Sequence, residues 1–114
     1  MGYDLRITRA IDWTANRGVE ISTPEWMAVV AADPELVVDP GNGPFAARFG
    51  ATGWFDWFEG NIFTTDPTFA TAKKMLSLAQ QLSAVVQGDE GEFYNSANQW
   101  TQHLSQARSP GGQG

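Results

Sequence analysis

Cysteine is absent from this 114-residue chain, and histidine occurs once, as His103. Without a thiol there is no disulfide, no zinc–cysteine centre and no cysteine nucleophile, and the usage fits a reducing compartment. A lone His in a polar C-terminal segment is a poor base for a serine-type triad and a single imidazole for any metal. Basic residues are also scarce: seven Lys and Arg, dispersed along the chain, stand against thirteen Asp and Glu, for a net charge of −6. Phosphate recognition needs clustered cations, so no nucleic acid and no anionic membrane surface is expected as a partner. An acidic surface favours basic protein partners by steering, although it also serves solubility alone. No apolar run approaches the ~18 residues of a membrane span. Met1-Gly2-Tyr3-Asp4 lacks the basic and apolar regions of a signal peptide, so the expected location is cytoplasmic. The glycines contain no GxxxxGK[ST] phosphate loop.

Aromatic residues are abundant. Five Trp and seven Phe lie in a chain that is 42% hydrophobic, and each such ring buries roughly 150–250 Å². The richest stretch runs from Trp54 to Thr65, with aromatic and β-branched runs on either side of Glu59-Gly60-Asn61. Gly and Asn tolerate the left-handed backbone of tight turns. This predicts a hairpin, 54–58 paired with 62–65, at the centre of an antiparallel sheet. Alternation puts Trp54, Asp56 and Phe58 on one face and Phe55 and Trp57 on the other. Both faces then need cover.

Around it, Tyr3, Leu5 and Ile7 alternate with Asp4, Arg6 and Thr8, the pattern of a half-buried strand. Residues 10–19 read as a loop whose Trp13 either packs back onto the body or serves as an exposed anchor. Ser22 and Glu25 have capping-box spacing, with Pro24 in the first turn of a helix over 23–32. Asp33-Pro34 ends that helix. Leu36–Val38 and Phe45–Phe49 read as strands separated by a turn cluster, 40–44. Thr65 or Asp66 is the expected cap of a helix over 67–83, with Phe69, Ala72, Leu76, Ala79 and Leu82 as its buried stripe. A second hairpin pairs Val85-Val86 with Glu92-Phe93-Tyr94 across an acidic turn. A C-terminal helix from Ser96 to Ala107 has one apolar stripe. The expectation is an α+β protein, a single domain over 1–107 followed by a disordered tail, 108–114. Its antiparallel sheet has about five to seven strands, with two main helices on one face.

Several clusters carry candidate chemistry. Asp89, Glu90 and Glu92 lack the spacing of an EF-hand loop and read as a solvated turn. Asp56 and Glu59 at the central hairpin are a carboxylate pair of unknown separation. Asp56 is expected to be hydrogen-bonded in the sheet, or paired with Arg6, Arg9 or Arg48, because a buried carboxylate needs compensation. Trp13, Trp54, Trp57 and Phe58 are either core or the aromatic part of a recognition surface rimmed by acids. No catalytic residue, no metal and no cofactor is assigned. The expected partner-binding residues are Trp13, Asp56, Trp57, Glu59, Asp89, Glu90 and Glu92.

Four motifs, YDLRITRA at 3–10, STPEWMAVVAADPEL at 22–36, GWFDWFEGNIFTTDP at 53–67 and VVQGDEGEFY at 85–94, resemble a family of small uncharacterised bacterial αβ proteins. Some of its members are similar to the immunity proteins of polymorphic toxin systems. The segment after Tyr94 lies outside the resemblance, and the loop at 40–53 is shorter than in other members. The resemblance implies a cytoplasmic protein without a cofactor that neutralises a cognate toxin, a basic one by charge, through direct binding. Two other classes compete with it: a small enzyme using a carboxylate such as Asp56, and a structural or regulatory homodimer closed through the aromatic sheet face.

Overall fold

Strand β1 (Asp4–Thr8) lies inside the sheet, not at its edge. A computed structural model describes residues 2–108. Seven strands, β1, β2 (Leu36–Val38), β3 (Ala47–Phe49), β4 (Gly53–Phe58), β5 (Asn61–Thr65), β6 (Val85–Gly88) and β7 (Phe93–Tyr94), form one antiparallel sheet. Their order is β2-β3-β4-β5-β1-β6-β7. Three helices, α1 (Thr23–Ala32), α2 (Phe69–Gln81) and α3 (Ala97–Arg108), complete an α+β domain.

Register sorts the side chains. Ile7 stands opposite Ile62 on β5 and Val86 on β6, and Ala47 opposite Phe55. These residues join Trp26 and Val30 of α1, Met75 and Leu78 of α2, and Trp100 of α3 in one buried cluster. A one-residue slip would send this whole set to the opposite face, so burial itself specifies the pairing. Three tryptophans lock the layers by donating indole N–H bonds to backbone carbonyls: Trp26 to Phe45 (2.8 Å), Trp57 to Ile21 (2.7 Å) and Trp100 to Pro67 (2.6 Å).

The capping box at Ser22 and Glu25 forms as expected. Arg9 reinforces it by donating to both Glu25 oxygens, at 3.0 and 2.8 Å. These bonds, with the Ser22 backbone N–H, pull the Glu25 carboxyl down to about 2. The central hairpin turns on two residues. Glu59 (φ 50°) and Gly60 (φ 86°) are both left-handed, as a type I′ turn requires. Asn61 is therefore not a loop residue but the first of β5, buried opposite Phe58. A Cβ on Gly60 would also come within 2.6 Å of the Glu20 side chain.

The second helix departs from expectation in two respects. Thr68 caps it, accepting from the Thr71 N–H at 3.2 Å. Asp66 is unavailable, because its backbone and side chain both bond Tyr3 and extend the β1–β5 ladder. The buried face comprises Thr71, Ala72, Met75, Leu78 and Ala79. Phe69 is instead 48% exposed, and Leu76 only packs against the margin of the core. Ala72, Ala79 and Leu82 are buried as expected, and Met75 and Leu78 fill the core where Leu76 was expected. Pro40–Asn42, expected as plain turn, forms a 3-10 turn, as does Trp13–Ala15. Of the expected tail, 108–114, Arg108 ends α3 and 109–114 lie outside the described residues, as do the side chains of Leu104 and Ala107.

Candidate functional site

All three helices contribute buried apolar residues to the cluster on one face of the sheet. The opposite face carries Asp4 and Arg6 from β1, Trp54, Asp56 and Phe58 from β4, and Asn61 and Phe63 from β5. Arg6 stands opposite Phe63 on one side and Gln87 on the other, and Phe63 stands opposite Asp56. Among the described residues no α-helix lies over this face. One loop, 10–19, folds across part of it.

That loop is held by two buried amides. Gln87 is 2% exposed. Its Oε1 accepts the Trp13 N–H at 2.7 Å, and its Nε2 donates to the carbonyls of Ile11 (3.0 Å) and Gly91 (2.9 Å). Asn61 donates to the Trp13 carbonyl at 3.0 Å, and Asn16 bridges Asn61 and the Glu59 carbonyl at 3.1 and 2.8 Å. Both backbone groups of Trp13 are thus fixed from the sheet beneath.

The Trp13 ring lies over the Arg6 guanidinium, 3.5 Å from carbon to centroid, a cation–π contact. Arg6 in turn donates to Asp89 at 2.7 Å and Asp4 at 3.2 Å. Asp4 also accepts from the Thr65 hydroxyl at 2.6 Å, and its backbone N–H donates to Asp89 at 2.9 Å. The Arg6 side chain is only 14% exposed, so the pairing neutralises a charge that is largely withdrawn from water.

Two hollows flank Phe63. The first, about 430 Å³, has Trp13, Phe58 and Phe63 as walls with Asp4, Arg6 and Glu59 among them. The second, about 440 Å³, is walled by Trp54 and Phe63, whose rings meet edge-on at 5.4 Å, with Asp39, Arg48 and Asp56 at its margin.

The expected site residues separate into groups. Trp13 and Glu59 line the first hollow and Asp56 the second. Asp56 makes none of the anticipated arginine pairs. Its Oδ1 accepts the N–H of Trp57 at 2.8 Å, while Arg48 leans toward Asp39 at 3.7 Å and Arg9 binds Glu25. Asp89 is drawn into the Arg6 cluster beside the first hollow, and Glu90 is exposed on the same turn. Trp57 lies on the helix-covered side, packed edge-on against Phe45 at 5.4 Å. It also borders an outer recess with Arg17, Glu20 and Glu59.

Glu92 faces a different cluster. Its Oε2 accepts from the hydroxyls of Tyr3 and, at 2.7 Å, Tyr94. Burial works to raise the Glu92 carboxyl, but the two hydroxyl bonds outweigh it and hold the group below its ordinary value. Burial first, then the hydrogen bond to Glu92 and its charge, push both tyrosines well above theirs. Gly88 makes the room, since a Cβ there would sit 2.2 Å from the carboxylate. His103, in α3, stacks on Trp100 with centroids 5.3 Å apart. It belongs to this helix-side cluster and not to the hollows. Among the described residues no three His, Asp or Glu side chains converge as a metal centre would require.

Arg6, Asn61, Phe63 and Gln87 were not anticipated at the site. Alternation did place Arg6 on the outer face of its strand, and Trp54, Asp56 and Phe58 together on theirs. What was missing is the long-range pairing of β1 with β5, which brings the two sets side by side. The described residues thus form an antiparallel sheet with an aromatic and acidic surface opposite its helices. No protein-family model, curated protein or solved structure matches the chain.

Proposed function

We propose that this chain is an immunity protein that neutralises a cognate bacterial toxin by binding it through the uncovered face of the sheet. One observation carries the reading. A seven-stranded sheet is covered by helices on one side, while its other side holds two aromatic hollows, the first of them walled by a loop that buried amides pin. The hollows set carboxylates beside aromatic walls, the usual make-up of an interface anchor and its rim. Holding Trp13 in place before binding lowers the ordering cost of association. The net charge of −6 supports a basic partner, and the cytoplasm is the compartment that this role requires.

The test uses the partner recovered from the native host by affinity capture and then purified. Phe58, 61% exposed, can be replaced without loss of core. Phe58→Asp together with Trp54→Ala should weaken binding by about 2 kcal/mol or more, chiefly through faster dissociation. Lys73→Ala, on the exposed side of α2, should leave it unchanged. The reading fails if the open-face variant, still folded, binds and neutralises like the parent.

A further inference from the structure

We infer that the two hollows on either side of Phe63 are paired sockets for two arginine side chains presented by one segment of a basic protein partner. The inference rests on the open-face binding reading and names the chemistry of what is bound.

Each hollow combines the same two components. The first has the rings of Trp13, Phe58 and Phe63 beside Glu59. The second has the rings of Trp54 and Phe63 beside Asp56. Among the described residues no ion pair reaches Glu59 or Asp56. The other carboxylates nearby are already engaged: Asp4 and Asp89 hold Arg6, and Asp39 faces Arg48. Each hollow therefore sets two carboxylates against one arginine and keeps one carboxylate unpaired. A planar guanidinium matches this arrangement, because it stacks on an aromatic face and bonds a carboxylate in a fork at the same time. Trp13 already receives a guanidinium in that manner from Arg6.

The sockets are coupled by construction. Phe63 is a wall of both, and it stands in register between Arg6 and Asp56. Two arginines on one segment would enter together, and the second binding event would become intramolecular.

The test needs no natural partner. Blocked peptides carrying two arginines separated by one, two or three alanines are titrated into the isotopically labelled protein. Their citrulline counterparts, equal in shape but uncharged, and a single-arginine peptide serve as controls. The indole N–H signals of Trp13 and Trp54 and the amides of 56–63 should shift for at least one spacing. Glu59→Gln and Asp56→Asn should each weaken that peptide by about tenfold, as loss of a charged hydrogen bond does. Citrulline and single-arginine peptides should bind at least as much more weakly. Shifts centred on the 88–92 turn, equal binding of citrulline, indifference to both substitutions, or no shift at millimolar peptide would each overturn the inference. The shift map does not depend on the variants, so a misfolded variant does not remove the test. If these peptides fail while the purified partner still loses affinity with Phe58→Asp and Trp54→Ala, the arginine sockets are wrong and the open-face reading stands.

Discussion

Gln87 illustrates how much a single buried residue organises. Burying an amide is costly unless each polar atom finds a partner. Here the partners are three backbone groups of the loop and turn above the sheet. Gln87→Ala would strand all three, so it should destabilise the fold by about 2–4 kcal/mol. It should also speed amide exchange at Trp13 more than at Ile7. A denaturant melt with residue-resolved exchange checks both, and uniform acceleration would contradict the pinning role. Nothing in the sequence around Gln87 signals its hold on the loop, because its two partners there are 74 and 76 positions away.

The Tyr3–Glu92–Tyr94 cluster contributes to the pH response at the same scale. Glu92 titrates below its ordinary value of 4.5 in the folded protein. Its contribution is therefore present above that value and lost as pH falls through the lower folded one. The tyrosines titrate above their ordinary value of 10.0. Their contribution is present below pH 10 and lost as pH rises past it. Stability should thus form a plateau between these limits, and Glu92→Gln should flatten the acid limb. Melts across pH, with tyrosinate absorbance on the alkaline side, measure this. An acid limb unchanged in Glu92→Gln would refute it.

Among the elements, those encoded by local chemistry were legible and those set by partners were not. The capping box, the helix stop at Asp33-Pro34 and both hairpins follow from nearest-neighbour preferences. The start of α2 does not, because Asp66 is recruited by Tyr3, 63 residues earlier. That competition shifts the cap to Thr68, and Phe69, the first residue of the helix, lies outside the core. The two leucines of α2 distinguish the observed stripe from the expected one. Leu78→Ala, fully buried, should cost about 2–5 kcal/mol. Leu76→Ala, at the margin, should cost less than about 1.5 kcal/mol. Equal losses in denaturant unfolding would mean that the helix is rotated from the orientation described.

For the whole molecule, the one-sided packing is the central fact. Aromatic residues on both strand faces of β4 were legible, and both faces were expected to need cover. The helices cover Phe55 and Trp57, while Trp54 and Phe58 remain on the side with no helix. Which face stayed open could not be read from alternation, because alternation is symmetric until the crossovers are known. Acidity was legible from composition, but its distribution was not. Asp89 and Glu92 turned out to be tied to Arg6 and to two tyrosines, leaving Glu59 and Asp56 as the carboxylates in the hollows without an ion pair.

Hydrogen–deuterium exchange of the protein with and without its purified partner tests the account most directly. The account predicts added protection at the loop 10–19 and across the β4–β5 turn, with α1 and the exposed side of α2 unchanged. Protection confined to α1 and α2, with the hairpin exchanging as in the free protein, would contradict it.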